Sequence, residues 1–383
     1  MHEQWGIIAD DLTGACDTGA IFAQKGLATV VVLDRRRRLD AGAEVVVLTS
    51  KSRNDPVRSA RRKVEEACRY LRARRIGVLY KKIDSTLKGN VLEETSTVMT
   101  ASEFSRALLC PAYPAQGRKV RRGVLFVRGR RTADLLAVFS EQKDCRLVSV
   151  HLPVTLAKVA AAISSETQFI LPDAEAQGDL DCLVKAAMQS KRRVLLAGSG
   201  GLTTALANAL GEWAVPRLGE KSWRINSSRE VVRPTLIFTG SNNPVTARQI
   251  DTLLQARLVD VHSLQRRQAM QDSLRQHQLA VVRVPVHQSR DDTIFKTLAS
   301  FDFLFTESRL ANLVVIGGDT AALILRWLET QAIEIHGEIA PGIPWGRMIG
   351  GKADGLALCT KAGGFGKPGS LVQIVTFLAR TPR

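Results

Sequence analysis

Short apolar segments alternate along the chain with longer segments of helical periodicity. Trp5 to Ala9, Val45 to Leu48, Ile76 to Tyr80 and Val194 to Ala197 contain almost no polar positions, as the buried strands of a parallel sheet do. A later segment places apolar residues three or four positions apart and so predicts an amphipathic helix; these residues are Val57, Ala60, Val64, Cys68 and Leu71. The alternation predicts an α/β fold in which mostly parallel sheets are flanked by helices.

The periodicity fades between Glu212 and Pro234, where proline, glycine and serine are frequent. A chain of 383 residues is long enough for two or three domains. We therefore place a linker here and predict an N-terminal domain over residues 1–222 and a C-terminal domain over residues 223–383. The active site is expected in the cleft between them.

Charged and hydroxyl side chains follow the predicted strands of the first half. They are Asp10, Asp11, Arg53, Lys82, Asp84 and Ser85. Ligands of open α/β sheets bind beyond the carboxyl ends of the strands, so these side chains suit a polyhydroxylated anion. The aspartates and Ser85 can also be helix caps, and for Asp10 or Thr13 taken alone that explanation is equally good. Lys82 can also be a surface lysine. Their recurrence after successive strands favours a binding site.

Glycine-rich turns follow the predicted strands of the second half, which are Thr235 to Thr239, Leu313 to Ile316 and Gly355 to Cys359. Glycine lets backbone N–H groups approach phosphate oxygens, and helix N-termini attract anions. We therefore predict a nucleotide site formed by these three turns, at residues 240–244, Gly317 to Thr320 and residues 360–366. A similar turn at Gly198 to Gly201 is better explained by close packing.

Two further glycine patterns are rejected. Residues 346–352 have the spacing GxxxxGK, but Ala353 replaces the hydroxyl residue of a P-loop. Gly364, Gly366 and Gly369 satisfy GxGxxG, but Pro368 interrupts the pattern and the chain ends before a βαβ unit. Hydrolase and zinc motifs are also missing from the sequence, and metal ligands stay unassigned.

The net charge limits the classes of partner that we expect. The 54 lysines and arginines exceed the 37 acidic residues, which gives +17 and favours anionic partners. Aromatic residues make up only 5% and do not interleave with the arginines, so nucleic-acid binding is a minor alternative. Neither a membrane span nor a secretory signal is visible. Six scattered cysteines predict reduced thiols and a cytoplasmic location.

Several segments together resemble the four-carbon acid sugar kinases. They are IIADDLTGACDTG (7–19), YKKIDSTLKGN (80–90), CPAYPAQGR (110–118), TGSNNPVTARQID (239–251), GGDTA (317–321), and EIAPGIPWG followed by TKAGGFG (338–366). The segments fall in family order and span nearly the whole chain. The resemblance implies an N-terminal domain that binds the acid sugar, a C-terminal domain that binds ATP, and phosphorylation of the terminal hydroxyl.

Site residues carried over by position extend this expectation. The resemblance implies substrate contacts from Asp11, Arg53, Lys82, Asp84 and Ser85, and ATP contacts from Ser241, Gly317 to Thr320 and the loop at Gly363. The resemblance implies ATP and Mg²⁺ as cofactors and is compatible with a homodimer. The form YKKIDST is more similar to D-threonate or D-erythronate kinases than to 3-oxo-tetronate kinases. Trp345 and the Gly350-Gly351 pair depart from the family pattern.

A mechanism follows as a hypothesis. Arg53 and Lys82 would hold the carboxylate and hydroxyls of the substrate. Asp11, or else Asp84, would orient or deprotonate the terminal hydroxyl. Asp319 fits a helix cap and a role at magnesium equally well. Closure of the domains across residues 212–234 would exclude water. A non-catalytic protein that binds sugar acids or nucleic acid is the alternative from another class.

Overall fold

The computed structural model describes residues 4–36, 42–140, 146–211, 234–257, 261–285, 291–306 and 310–381. Contacts divide them into two units. The first contains residues 4–29 and 42–211, and the second contains residues 30–36 and 234–381. The predicted boundary between residues 222 and 223, and the linker up to residue 233, lie outside the described residues.

Strands and helices alternate in both units, which confirms the predicted α/β class. The strands are β1 (Trp5–Ala9), β2 (Thr29–Val32), β3 (Val45–Thr49), β4 (Gly77–Lys82), β5 (Arg106–Cys110), β6 (Arg118–Arg121), β7 (Val124–Val127), β8 (Arg130–Asp134), β9 (Leu147–Val150), β10 (Phe169–Pro172), β11 (Val194–Gly198), β12 (Thr235–Thr239), β13 (Val261–Ser263), β14 (Leu279–Arg283), β15 (Asn312–Ile316), β16 (Ala332–Ala340), β17 (Ile343–Ile349) and β18 (Ala357–Lys361). The helices are α1 (Leu12–Ala23), α2 (Val57–Ala73), α3 (Val91–Ala101), α4 (Leu135–Ser140), α5 (Leu156–Ser164), α6 (Gln177–Gln189), α7 (Gly200–Gly211), α8 (Pro244–Arg257), α9 (Arg267–His277), α10 (Asp291–Ala299), α11 (Phe303–Thr306), α12 (Gly318–Trp327) and α13 (Ser370–Ala379).

The first unit is built on a parallel sheet with the strand order β3-β1-β4-β11-β5-β10-β9. In the register of this sheet, Ala9 at the end of β1 lies opposite Thr49 of β3 and Lys82 of β4. The loops after these three strands therefore leave the sheet side by side. The loop after β5 is set apart from them because β11 lies between β4 and β5. Strands β6, β7 and β8 form a separate antiparallel sheet.

The second unit has the strand order β13-β14-β12-β15-β18-β17-β16. Its strands are parallel as far as β18, and β17 and β16 then continue the sheet in antiparallel fashion. Apolar residues of this sheet pack against α8 and α13 in a buried core that includes Ile237, Leu253, Val314 and Ile374. The helices α8 and α12 begin immediately after the turns that follow β12 and β15, as the sequence predicted.

Four predicted strands end later than expected, β3 and β11 by one residue and β4 and β18 by two. β4 was predicted to end at Tyr80 but continues through Lys82, and β18 was predicted to end at Cys359 but continues through Lys361. Lysines are buried at these ends because polar partners inside the protein satisfy their ammonium groups. The amphipathic helix is confirmed as α2, but Val57 is 39% exposed, so its buried face begins only at Ala60.

None of the described cysteines forms a disulfide bond. Cys16, Cys68, Cys110 and Cys359 are buried, and Cys182 is partly buried. Burial raises the pKa of the Cys110 thiol to about 12, which keeps it protonated and unreactive at neutral pH. Of the helices that the structure describes, none has the length and apolar character that crossing a membrane requires.

Candidate active site

Arg53 joins Asp10 and Asp11 beyond the ends of β1 and β3. Its Nε and Nη2 donate to the two carboxylate oxygens of Asp10 at 2.7 and 2.9 Å. Its Nη1 and Nη2 donate to the two oxygens of Asp11 at 2.8 and 2.9 Å. Four of the five guanidinium N–H groups are therefore used by two carboxylates in bidentate geometry. The structure thus brings together three residues that the sequence predicted as substrate contacts.

Asp11 also caps the helix α1. Its Oδ1 accepts the backbone N–H of Gly14 at 2.8 Å, and its Oδ2 accepts the hydroxyl of Thr13 at 2.7 Å. Together with the two bonds from Arg53, each oxygen accepts two hydrogen bonds. A carboxylate has about four acceptor positions, so Asp11 has no position left for a substrate hydroxyl in this arrangement. The helix-cap role is thus observed, and the role in substrate binding stays a prediction.

Asp84 completes the acidic cluster from the loop after β4. Its Oδ1 accepts the backbone N–H and the hydroxyl of Thr86. Its Oδ2 lies 3.7 Å from Arg53 Nη1, which is close enough for charge attraction but too long for a hydrogen bond. Within the described residues, Oδ2 accepts no hydrogen bond and can take a donor from a ligand. The neighbouring Ser85 is partly exposed in the same loop.

The charges of this cluster control its protonation. Burial raises the pKa of Asp10, but the hydrogen bonds and charge of Arg53 outweigh that effect and hold the pKa below its usual value. Burial likewise opposes ionisation of Asp84, whereas Thr86 and Arg53 lower its pKa. The pKa of Arg53 is raised by both aspartates against the effect of burial. Asp10, Asp84 and Arg53 therefore carry their charges at neutral pH.

Lys82 enters the same region from the last position of β4. Only 8% of the residue is exposed, and its Nζ donates to the backbone oxygen of Ile83 at 2.8 Å. A Cβ placed on Gly14 would lie 2.5 Å from Asp11 Oδ1 and 3.3 Å from Lys82 Nζ. Asp11 Oδ1 and Lys82 Nζ thus both approach the first turn of α1, and only glycine leaves space for them there.

A buried ion pair that the sequence reasoning missed lies beneath the cluster. Lys81 Nζ is 2.9 Å from Glu94 Oε2, and both side chains are 1% exposed. The other carboxylate oxygen of Glu94 accepts the hydroxyl of Ser52, and the backbone N–H of Ser52 donates to Asp10 O. This network connects α3 and β4 with the loop that carries Arg53. The only sequence signal was the charged pair Lys81-Lys82 at the end of an apolar strand.

Arg118 is a second residue that the sequence reasoning left out, although it ends the segment CPAYPAQGR. It begins β6, is partly buried, and its Nε has no hydrogen-bond partner among the described residues. Burial and the charge of Arg128 lower its pKa, and Asp84 is near enough to oppose that shift. A partly buried guanidinium with an unused N–H group is a suitable partner for an anion.

The second unit brings the predicted nucleotide residues together in two neighbouring contacts. A Cβ placed on Gly363 would lie 2.3 Å from Ser241 Oγ, so the turn after β18 touches the turn after β12. Gly317 has a φ of +101°, and a Cβ on it would lie 3.2 Å from Thr320 Oγ1 and 3.7 Å from Ser241 Cβ. The three glycine-rich turns therefore meet around Ser241.

Gly318, Asp319 and Thr320 form the first turn of α12. Asp319 is exposed and Thr320 is buried. Among the described residues no group of three or more histidine, cysteine, aspartate or glutamate side chains could hold a metal ion. A single exposed carboxylate at Asp319 nevertheless fits Mg²⁺ that is held mainly by phosphate oxygens and water.

The turn at Gly198 to Gly201 serves packing, as predicted. A Cβ on Gly198 would lie 2.7 Å from Cys110 O, and one on Gly201 would lie 2.5 Å from Ala112 O. Real Cβ atoms do not approach backbone oxygens so closely. These glycines therefore let α7 approach the end of β5.

Comparisons with known proteins identify the two domains and the family of the chain. Residues 5–206 match a family model described as a sugar-binding N-terminal domain, and residues 286–371 match a nucleotide-binding C-terminal domain. A D-threonate kinase of Cupriavidus necator is 30% identical over 96% of this chain and 96% of its own length. The chain belongs to the four-carbon acid sugar kinase family.

Other members of this family bear different substrate names. A D-erythronate kinase of Heliobacterium modesticaldum is 26% identical and covers 97% of this chain and 96% of its own length. A 3-oxo-tetronate kinase of Haemophilus influenzae is 24% identical and covers 94% of this chain and 97% of its own. The family assignment therefore leaves the individual acid open.

Solved structures share the fold. A Salmonella typhimurium protein described as a putative tRNA synthase superposes with a TM-score of 0.75 at 21% identity, over 97% of this chain and 98% of the other. A Bordetella bronchiseptica protein that binds citrate and forms a domain-swapped dimer is 26% identical, with a TM-score of 0.50 and 99% coverage of both chains.

Proposed function

We propose that this protein is an ATP-dependent kinase that phosphorylates the terminal hydroxyl of a four-carbon sugar acid, with D-threonate or D-erythronate as the preferred substrate. The observation that carries the proposal is the cluster of Asp10, Asp11, Arg53, Lys82 and Asp84 at three adjacent strand ends. The names of the full-length relatives support the same substrate class.

The charge of the cluster orients the substrate. Three carboxylates face two cationic side chains, and Arg53 is already occupied by the aspartates. Such a site prefers the hydroxyl groups of a polyol, which donate hydrogen bonds to carboxylates. We therefore propose that a hydroxyl binds at Asp84, whose Oδ2 still has an acceptor position, and that the carboxylate of the substrate binds at Lys82 and Arg118. Arg53 then acts mainly by fixing the two aspartates.

The same geometry changes the order of the candidate bases. Asp11 was the first candidate from the sequence, but its oxygens are fully used by four hydrogen bonds. Asp84 retains one oxygen, Oδ2, for an incoming hydroxyl. Because its pKa is lowered, Asp84 is ionised and ready to accept a hydrogen bond at neutral pH. We propose that Asp84 orients the terminal hydroxyl and accepts its proton during phosphoryl transfer.

The second unit would bind the other substrate, ATP. Ser241, Gly317 to Thr320 and the turn at Gly363 and Gly364 offer hydroxyl and backbone N–H donors suited to phosphate oxygens. Mg²⁺ would arrive as part of the MgATP complex, where it neutralises phosphate charge. Asp319, in the first turn of α12, is our candidate to contact this ion.

A substrate panel with matched variants tests the proposal. ADP release is measured with MgATP and D-threonate, L-threonate, D-erythronate, L-erythronate or 3-oxo-tetronate, and the phosphorylated position is read by NMR. Turnover of one acid at its terminal hydroxyl supports the proposal. Asp84→Asn should lower kcat by about 10²- to 10⁴-fold. Asp181→Asn changes an exposed aspartate of α6 and should leave kcat unchanged.

The other outcomes contradict parts of the proposal. Preferred turnover of 3-oxo-tetronate would overturn the substrate assignment but retain the kinase. No turnover and no nucleotide binding would refute the kinase. A kcat unchanged by Asp84→Asn would remove this residue as the base. The homodimer and the cytoplasmic location stay predictions, and light scattering of the purified protein tests the former.

A further inference from the structure

Lys361 is a fully buried cation at the end of β18, and backbone oxygens are its partners. Its exposed fraction is 0%, and its Nζ donates to the carbonyl oxygens of Ala362 at 2.9 Å and Phe365 at 3.0 Å, with that of Gly363 at 3.4 Å. No carboxylate of the described residues forms an ion pair with it. The ammonium group has three protons and three acceptors, so none is left for a ligand.

Two buried side chains of α8 hold the same carbonyl groups. The hydroxyl of Thr246 donates to Gly363 O at 2.8 Å, and the Nε2 of Gln249 donates to Phe365 O at 2.9 Å. Both residues are 0% exposed. Lys361, Thr246 and Gln249 therefore form a buried set of donors, which we call the carbonyl clamp.

The hydrogen bonds of the carbonyl clamp also fix the direction of the N–H groups in the same loop. The C=O and N–H groups of a trans peptide point in opposite directions. Because the clamp draws the oxygens of residues 362, 363 and 365 inward, the N–H groups of Gly363, Gly364 and Gly366 are directed away from Lys361. Within the described residues these three N–H groups donate no hydrogen bond.

The loop requires glycine at positions 363 and 366, because a side chain at either position would meet a neighbouring residue. A Cβ on Gly363 would lie 2.3 Å from Ser241 Oγ, and one on Gly366 would lie 2.7 Å from Ser370 Oγ. Gly366 also has a φ of +88°, which L side chains rarely adopt. Backbone N–H groups of neighbouring turn residues can form concavities that bind anions such as phosphate.

We infer that Gly366 joins Gly363 and Gly364 in binding the phosphate chain of the nucleotide, and that Lys361, Thr246 and Gln249 position this loop without touching the ligand. The inference rests on the proposed function, because the ligand of this loop is the ATP that the proposed kinase uses. It differs from a lysine that contacts phosphate directly, because the protons of Lys361 are used within the protein.

Nucleotide binding by three variants tests the clamp. Lys361→Met removes the ammonium group, and Gln249→Leu and Thr246→Val remove uncharged donors from the same carbonyls. We expect Lys361→Met to raise the KM for ATP and the Kd for ADP at least tenfold. The two uncharged variants should raise them about threefold or more. The affinity for adenosine and the KM for the sugar acid should change less than twofold, because neither ligand carries the phosphate chain.

A matched control lies on the same helix. The hydroxyl of Thr252 donates to Arg248 O within α8 and does not contact the loop. Thr252→Val should therefore leave the KM for ATP unchanged. Thermal unfolding and circular dichroism of each variant show whether it is folded before binding is measured.

The outcomes separate this inference from the proposed function. Wild-type protein that binds no ADP refutes the kinase itself. Wild-type protein that binds ADP, together with variants that bind it equally well, overturns the clamp alone. If only Lys361→Met weakens binding, the lysine contacts phosphate directly and the positioning role is wrong. If Lys361→Met does not fold, the two uncharged variants decide the question.

Discussion

The buried pair of Lys81 and Glu94 allows a sharp test of how the site is supported. Glu94→Gln keeps the shape of the side chain but removes the negative charge that lies 2.9 Å from Lys81 Nζ. The lysine is 1% exposed and retains the backbone oxygen of Lys82 at 2.8 Å, so water cannot replace the lost carboxylate. Breaking one partner of a buried ion pair costs about 3–5 kcal/mol. We expect Glu94→Gln to lose about that much unfolding free energy.

Urea unfolding followed by circular dichroism measures this loss. With a denaturant dependence of about 2 kcal/mol per M, the midpoint should fall by roughly 2 M. Hydrogen exchange should locate the effect in peptides of β4 and α3. The hydroxyl of Ser52, which donates to Glu94 Oε1 at 2.7 Å, loses a charged acceptor in the same variant. Its loop carries Arg53, so the KM for the sugar acid should also rise.

A double variant separates the charge effect from packing. Lys81→Met combined with Glu94→Leu replaces both charges with apolar side chains, and such replacements are often close to neutral. The double variant should therefore be more stable than Glu94→Gln alone. The reasoning is refuted if Glu94→Gln loses less than about 1 kcal/mol of unfolding free energy. It is also refuted if the double variant loses as much unfolding free energy as Lys81→Met and Glu94→Leu do together when each is made alone.

Three further predictions concern single residues. Gly14→Ala puts a methyl group 2.5 Å from Asp11 Oδ1, so the KM for the sugar acid should rise at least tenfold in steady-state assays. An unchanged KM would contradict the crowded geometry. Gly201→Ala meets a backbone oxygen at 2.5 Å and should cost about 1–3 kcal/mol in urea unfolding without changing the KM for ATP. A raised KM without lost stability would instead indicate a phosphate loop. Burial raises the pKa of Glu338 to about 7 from 4.5. Its contribution to stability is thus complete below pH 4.5 and declines as the pH rises to about 7. Glu338→Gln should abolish a decline of about 3 kcal/mol between pH 5 and 8, and identical pH dependence in both proteins would disprove it.

The class of fold and many of the strands were predictable because buried strands have few polar positions. Trp5–Ala9 and Thr235–Thr239 agree with the prediction residue by residue. The errors at β4 and β18 have one cause. A lysine after an apolar run normally indicates that the strand has left the core, whereas Lys81 and Lys361 are buried next to partners distant in sequence or in the following turn.

The candidate site was predictable as a set of residues but not as a set of roles. Parallel strands deliver their following loops to one edge of the sheet, so the meeting of Asp11, Arg53 and Asp84 follows from strand order. Which carboxylate has a free oxygen depends on hydrogen bonds that spacing does not reveal. Arg118 was missed because its loop follows β5, and its approach to Asp84 depends on the fold of β6.

The position of β2 affects how the chain folds during its synthesis. It lies beside β16, and the N–H groups of Leu33 and Asp34 both donate to Gln331 O at 2.9 Å. A segment near the start of the chain thus completes a unit that is otherwise formed from the second half. At ribosomal speeds of about 5–20 residues per second, β2 is synthesised tens of seconds before its neighbour β16. No single cut can therefore yield an intact second half, because a fragment starting at residue 234 would leave the edge of β16 open to other chains.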